Sequence, residues 1–407
     1  MNGESRTLVP LTDAQIDDLA DNYDHHDPAF AQDAYRVYDA MRGKGRVVWS
    51  DRYGGFFAPT RFAEMRDAWT DWETFATRPS VNLPAHQGAE RPMIPLEVDP
   101  PRHARYRKAL APMLAGAQLA SLEPKARLHV NDLIDAVVDK GGCDFVASVS
   151  SPFPTRMFME LYGLPLEEAD QFLAWNHGII HSHTEDPSLE TVKRCEEEVL
   201  ARLAGLVAER RRGGGGGILG RLLVDQIDGE LLSDEEITDM SFQMFLAGLD
   251  TTHSAMAWQI YFLSTHLDHQ RSLREAPKTI PNAVEELLRW EGLLNVRRTA
   301  TKDAEIGGVT VPKGCPVLLS ARIANHDPEV FPDPELVDFN RPNAHRHLAF
   351  GSGVHRCIGV GLARLELRVL HEEWHRRIPE YTLAPGAKIA AWGGNLAGIA
   401  TEVPVRW

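Results

Sequence analysis

Phe350-Gly351-Ser352-Gly353-Val354-His355-Arg356-Cys357-Ile358-Gly359 is the stretch that decides how the rest of the chain is read, and it opens a helical pattern over 361–374. A cysteine at the mouth of a helix meets the positive end of the dipole and free backbone amides. Arg356 adds a charge, and all three favour thiolate over thiol. Glycines at 351, 353 and 359 let the backbone come close to something flat or to the sulfur itself. Taken alone, the stretch also fits an inert, buried cysteine beside a helix start.

Outward from this stretch, composition bounds the answer. The 407 residues are 43% hydrophobic and 25% charged, which excludes a mainly disordered chain and leaves room for one large domain or several ordinary ones. Lys and Arg number 43 against 58 Asp and Glu, a net charge of −15 that argues against a general nucleic-acid binder or a protein of anionic membranes. Small-molecule chemistry is favoured. The four cysteines, Cys143, Cys195, Cys315 and Cys357, include no Cys-x-x-Cys pair, so neither a zinc ribbon nor a disulfide framework is expected. The polar, acidic start, Met1 to Phe30, reads as neither secretory signal nor membrane anchor, and a reducing, cytoplasmic setting is the expectation.

The periodicity is helix-dominated. Helices are expected over 29–42, 61–69, 102–114, 118–140, 155–162, 167–177, 189–212 and 282–290. Short strands are expected at 46–49 and 54–58 as a hairpin, then at 296–300, 304–306, 309–311 and 316–320. Six prolines between Arg78 and Pro101 forbid regular structure there and suggest a functional loop. Gly213 to Gly217 follow a basic helix end and read as a flexible connection, since no Lys-Ser/Thr follows. Ser233-Asp234-Glu235-Glu236 is a capping box that starts the longest helix, running to about His266. Its centre, Met240 to Leu249, is apolar nearly all round and is expected to be buried. No linker splits the chain, so residues 1–407 read as one domain, mainly α with small β-sheets.

The whole pattern Phe-x-x-Gly-x-x-x-Cys-x-Gly resembles the haem-ligand signature of the cytochrome P-450 family, in which a cysteine thiolate holds haem iron. Other motifs follow in family order. Glu286-Leu287-Leu288-Arg289 matches Glu-x-x-Arg, and Phe339-Asn340-Arg341-Pro342 supplies the arginine that completes the pair. The resemblance implies that Glu286, Arg289 and Arg341 form a buried charge network bracing the cysteine loop. Ala247-Gly248-Leu249-Asp250-Thr251-Thr252 falls within the long helix, where Gly248 costs about 1 kcal/mol relative to Ala. In the family small residues here open a groove for dioxygen, which implies that Thr251 holds a water and Asp250 relays protons. Thr251 can also bond an earlier carbonyl of its own helix. The segment Asp99 to Lys108 places His103 and Arg107 on one helix face, and with Arg298 and His355 they match the family's propionate partners. Phe350 joins them as a haem contact.

The implied fold is a single-domain cytochrome P-450 fold, with haem b between the long central helix and the cysteine-loop helix and Cys357 as the iron ligand. The implied activity is insertion of one oxygen atom of O2 into a small-to-medium apolar substrate by hydroxylation or oxidative dealkylation. A peroxide-driven peroxygenase and a haem-binding sensor or carrier are the alternatives. No flavin or iron–sulfur segment is recognised, so electrons are expected from a separate iron–sulfur ferredoxin and an NAD(P)H-dependent reductase. Arg102, Arg105, Arg107 and Lys108 have no acidic sequence neighbour and, with Arg356, are expected to form a basic docking patch for that ferredoxin. No nucleic acid, membrane or second copy of the chain is expected as a partner.

On the substrate side, the resemblance points to the 78–98 loop, the 172–190 region, the long helix, Leu293 to Val296, and a closing loop near Trp392 to Ile399. Leu246, Ala247, Leu294 and Val296 suggest an apolar cavity for a terpenoid or substituted aromatic. Gln243 shares a helix face with Ala247 and Thr251, and bonds either a substrate oxygen or a neighbouring helix or water. His177, His181 and His183 contain an i,i+4 pair but lack a zincin signature, and read as part of a helix–loop over the substrate entrance.

Overall fold

The computed structural model describes residues 11–407 apart from 28–33, 85–91, 181, 183–187, 215–216, 388–390 and 393–398. In chain order come α1 (Asp13–Asp21), α2 (Ala34–Lys44), β1 (Val47–Ser50), β2 (Phe56–Pro59), α3 (Phe62–Thr70), β3 (Phe75–Ala76) and α4 (Arg102–Leu110). Then follow α5 (Gly116–Asp135), β4 (Gly142–Asp144), α6 (Pro152–Tyr162), α7 (Ala169–Ile180), α8 (Glu190–Gly213) and α9 (Gly217–Leu222). The long α10 (Asp234–Thr265) leads to α11 (Leu267–Glu275), α12 (Ile280–Glu291), β5 (Asn295–Ala300), β6 (Ala304–Ile306), β7 (Val309–Val311), β8 (Pro316–Ser320) and α13 (Ala321–Asn325). The chain closes with α14 (Val360–Arg377), β9 (Thr382–Leu383), β10 (Ala391–Trp392), β11 (Ile399–Ala400) and β12 (Pro404–Arg406). The expected helices and strands are present with shifted ends. The unexpected α11 buries Gln270 and Leu273.

The elements gather into two compact units. The first comprises Met1–Pro92, Trp258–Cys357 and Thr382–Val403; the second comprises Met93–Ala257, Ile358–Tyr381 and Pro404–Trp407.

In the first unit the expected hairpin forms, β1 against β2, with Val48 opposite Ala58. It does not stand alone: β2 joins β8 in parallel at Phe57 and Val317, and the sheet runs β1-β2-β8-β5-β3. Strand β5 pairs antiparallel with β8, Val296 opposite Leu319 and Arg298 opposite Val317. A core of Met41, Phe56, Met65, Trp69, Leu319 and Phe331 packs around this sheet. Helix α3 is fixed by Asp327, whose buried carboxylate accepts from Phe62 N at 2.8 Å and from Arg61 Nη1 at 3.0 Å.

Behind the strands lies the expected charge network. Glu286 takes both prongs of Arg289 at 2.8 Å, Arg341 Nε at 2.9 Å and the Asp338 amide at 3.0 Å. The two guanidiniums spend their other donors on carbonyls of Asn325, Pro332, Asp333, Pro334 and Leu336. That segment has no ladder of its own, so these forks satisfy backbone groups that burial would otherwise orphan.

In the second unit α5 packs on α14, tied by Arg368 to Glu123 and Arg127 to Glu373, each at 2.8 Å. Helix α10 begins as the capping box requires: Ser233 N donates to Glu236 Oε2 at 2.9 Å and Glu236 N to Ser233 Oγ at 3.1 Å. Its expected all-round burial is corrected at one place. From Ile237 to Ala257 every residue is at least partly covered except Ala247 and Gly248, which are exposed. Among the described residues, no helix is long and apolar enough to cross a membrane.

Replacing Glu286 by Ala leaves two buried guanidiniums without their carboxylate, a loss of about 3–5 kcal/mol. The expected outcome for Glu286→Ala is a lower thermal midpoint and almost no haem in the purified protein, measured as the haem-to-protein absorbance ratio. Normal haem content at the normal midpoint would refute the bracing role.

Candidate functional site

The cysteine loop is shaped by its glycines and by the end of α3. Gly351 and Gly353 both adopt the left-handed region, at φ 65° and 70°. A Cβ on Gly353 would stand 2.9 Å from Thr70 Cα and 3.0 Å from the Trp69 carbonyl oxygen; one on Gly351 would stand 3.5 Å from Trp69 Nε1. The loop therefore lies on α3 with no room for a side chain, and Leu294 touches it from the other direction, 3.8 Å from the same Gly351 position. The Cys357 amide donates to the Phe350 carbonyl at 2.9 Å and the Gly351 amide to Leu348 O at 2.8 Å. The thiol-bearing residue is left exposed, three residues ahead of α14, with His355 half-buried beside it.

The loop is connected to the charge network by a residue that sequence reasoning missed. Asn325 Oδ1 accepts from the Leu348 amide at 2.7 Å, while its own carbonyl accepts from Arg289 Nη1 at 3.0 Å. Buried His347 contacts Glu285 at 3.2 Å on the same flank. Neither Asn325 nor Trp69 carries a local signal, because each acts on a partner far along the chain. On β5, Arg298 is buried and donates from Nη1 to the Arg297 carbonyl at 3.0 Å. By strand alternation it shares a face with Val296.

The second unit holds the remaining expected residues. On α4, His103 is buried and Arg107 half-buried, one turn apart. Two of the residues expected to form a basic patch, Arg105 and Lys108, are paired with acids. Arg105 is paired with Glu230 at 2.7 Å and Glu236 at 3.8 Å, Lys108 with Asp228 at 2.7 Å, and Arg102 Nε donates to Tyr106 Oη at 2.9 Å. The segment after α9 brings Asp228 and Glu230 to α4, which a search for acidic sequence neighbours cannot detect.

On α10, Thr251 Oγ1 donates to the Ala247 carbonyl at 2.7 Å, the back-bond expected of it, and Asp250 is buried. Beside Gly248 a Cβ would meet nothing within 4 Å. Leu246 is half-buried, and Gln243 is 6% exposed with no hydrogen-bond partner for Oε1 among the described residues. On α14, also unforeseen, burial pushes the Glu366 carboxyl up to about 8.

These residues fit a haem. In the first unit an exposed cysteine stands on a glycine-bent loop, with basic Arg298 and His355 on the same unit; in the second, small residues open an otherwise covered helix and α4 carries His103 and Arg107, and the chemistry of each set suits part of such a group. Of the other expectations, His177 lies on α7, while His181 and His183, residues 393–398 of the closing loop, residues 85–91 and Gly215–Gly216 lie outside the described residues. Among the described residues, no cluster of three or more His, Cys, Asp or Glu could hold a metal ion.

The chain is similar to known proteins. The family model described as Cytochrome P-450 matches residues 218–373. The mycinamicin IV hydroxylase/epoxidase of Micromonospora griseorubida is 33% identical over 318 residues, 77% of this chain and 79% of that protein. The cytochrome P-450 monooxygenase PikC of Streptomyces venezuelae is 31% identical over 400 residues, 93% of this chain and 92% of that protein. The crystal structure of cytochrome P-450 CYP101C1 superposes with a TM-score of 0.86 at 30% identity, covering 95% of this chain and 96% of that one.

Gly353→Ala forces an L-residue into the left-handed region, about 1–2 kcal/mol, and drives a methyl into the α3 backbone. The expected result is a folded protein with a reduced haem-to-protein ratio. A wild-type ratio would show that the loop tolerates the side chain and that its seating on α3 does not matter.

Proposed function

This chain belongs to the cytochrome P-450 family and is a P-450 monooxygenase, and from that premise we propose a role for each residue of the site and a class of substrate. The substrate is a small-to-medium apolar molecule, a terpenoid or substituted aromatic, which is hydroxylated or oxidatively dealkylated. The cofactor is haem b, which when bound supplies the activation of O2 with electrons from a redox partner. That partner is an iron–sulfur ferredoxin served by an NAD(P)H-dependent reductase. The chain works as one catalytic domain and a monomer in the cytoplasm.

Cys357 binds the iron through its thiolate, and Phe350 packs against the haem. His103, Arg107, Arg298 and His355 bind the propionates; the arginine forks suit planar carboxylates. Glu286, Arg289 and Arg341 hold the cysteine loop through Asn325. Thr251 orients a water: its proton is committed to the Ala247 carbonyl, so Oγ1 presents its lone pairs to a water proton. Asp250 moves protons to that water through its carboxylate. Leu246, Ala247, Leu294 and Val296 exclude water around the substrate, with Gln243 as the polar contact. The observation that carries this reading is the opening at Ala247 and Gly248, one turn from Thr251, on a helix covered elsewhere along its buried length.

Thr251→Ala tests it. Substrate binding, read from the haem spin shift, is expected to survive, while the fraction of electrons reaching product falls roughly tenfold or more and hydrogen peroxide rises. Unchanged coupling would remove Thr251 from proton delivery.

A further inference from the structure

Gln243 is a residue of α10 whose chemistry the fold leaves open. It lies at a buried position, 6% exposed, in the most apolar part of the helix, between Met240 and Phe245, which are both fully buried. Its Oε1 has no hydrogen-bond partner among the described residues. A buried amide oxygen without a donor is uncommon in native proteins and calls for an explanation. The helix cannot supply one, because the amides of α10 at this depth are spent on its own carbonyls.

Helical geometry shows where a donor can come from. Ala247 stands one turn further along and about 40° round the axis from Gln243, so the two share a face. Ala247 and Gly248 are the exposed residues of this stretch, and the space beside Gly248 is clear to 4 Å. Gln243 therefore lies on the helix face that carries the opening.

We propose that the substrate carries a hydroxyl group that donates its proton to Gln243 Oε1. This rests on the reading of that opening as the substrate site and narrows its substrate class from apolar molecules in general to apolar alcohols. Gln243 precedes Thr251 by two turns, roughly 12 Å of helix rise. A molecule anchored at Gln243 thus presents to the reacting centre a carbon remote from its hydroxyl. The substrate must come from a reaction that has already installed that hydroxyl, an earlier oxygenation or hydration, and the product is a diol with its two oxygens at opposite ends.

The test uses holoenzyme and matched saturated pairs: bornane and borneol, p-menthane and menthol, decalin and 2-decalol, titrated against the haem spectrum. Wild type is expected to bind the alcohol of a pair roughly tenfold tighter than the hydrocarbon, the worth of one well-placed hydrogen bond. In Gln243→Leu that ratio is expected to fall to about one, chiefly through weaker alcohol binding. Ligand-free Gln243→Leu is expected to melt no lower than wild type, because no partner within the protein is lost. Equal binding of alcohol and hydrocarbon by wild type, an undiminished preference in Gln243→Leu, or a lower melting point of that variant would each overturn the hydroxyl contact while leaving an apolar substrate in place. Failure of every pair to bind wild type would overturn the apolar-substrate reading itself, and the hydroxyl contact with it.

Discussion

One buried carboxylate organises the catalytic loop. Glu286 faces two guanidiniums and a backbone amide with no solvent to share the charge, so its position is fixed by all of them at once. Removing any member would strand a charge in the interior, which makes the network strong as a positional constraint even where its net contribution to stability is modest. Through Arg289 and the two ends of Asn325 that constraint reaches Leu348, and from Leu348 it passes to Gly351. The loop is held from the other side by α3, which is itself anchored by Asp327. A cysteine sulfur placed this way does not depend on the packing of its own side chain.

Helix α10 shows a complementary economy. It is covered for most of its buried length, and the two smallest residues in its centre, Ala247 and Gly248, are where it is not. Thr251 turns its hydroxyl proton back onto the helix there, so a groove, an acceptor and a buried acid are brought together within one turn. Gln243, one turn earlier, is a buried polar residue on the same helix face.

Much of this was legible in the residues themselves. The capping box at Ser233 and Glu236, the helix pair Glu286 and Arg289, the glycines around Cys357 and the Thr251 back-bond are all local patterns, and local geometry realises them directly. The closure of the network by Arg341 was legible only through family resemblance, since it lies 52 positions beyond Arg289. What sequence reasoning could not reach shares one cause: long separation along the chain without a periodic signature. The parallel join of β2 to β8, the relay through Asn325 and the seating of the loop on Trp69 are of this kind. So are the acids that pair with α4. Arg105 and Lys108 have no acidic neighbours in sequence, yet Glu230 and Asp228 reach them in space, and the net charge of −15 makes such encounters easy.

The account stands on Cys357 as a thiolate held out by its loop for haem iron. The most direct measurement is the absorption spectrum of the reduced carbon-monoxide complex of the wild-type protein and of Cys357→His. The wild type is expected to show the red-shifted Soret band of a thiolate-bound haem, and the variant, with imidazole in place of sulfur, to lose it. A wild-type protein without that band, or a variant that keeps it, would contradict the account.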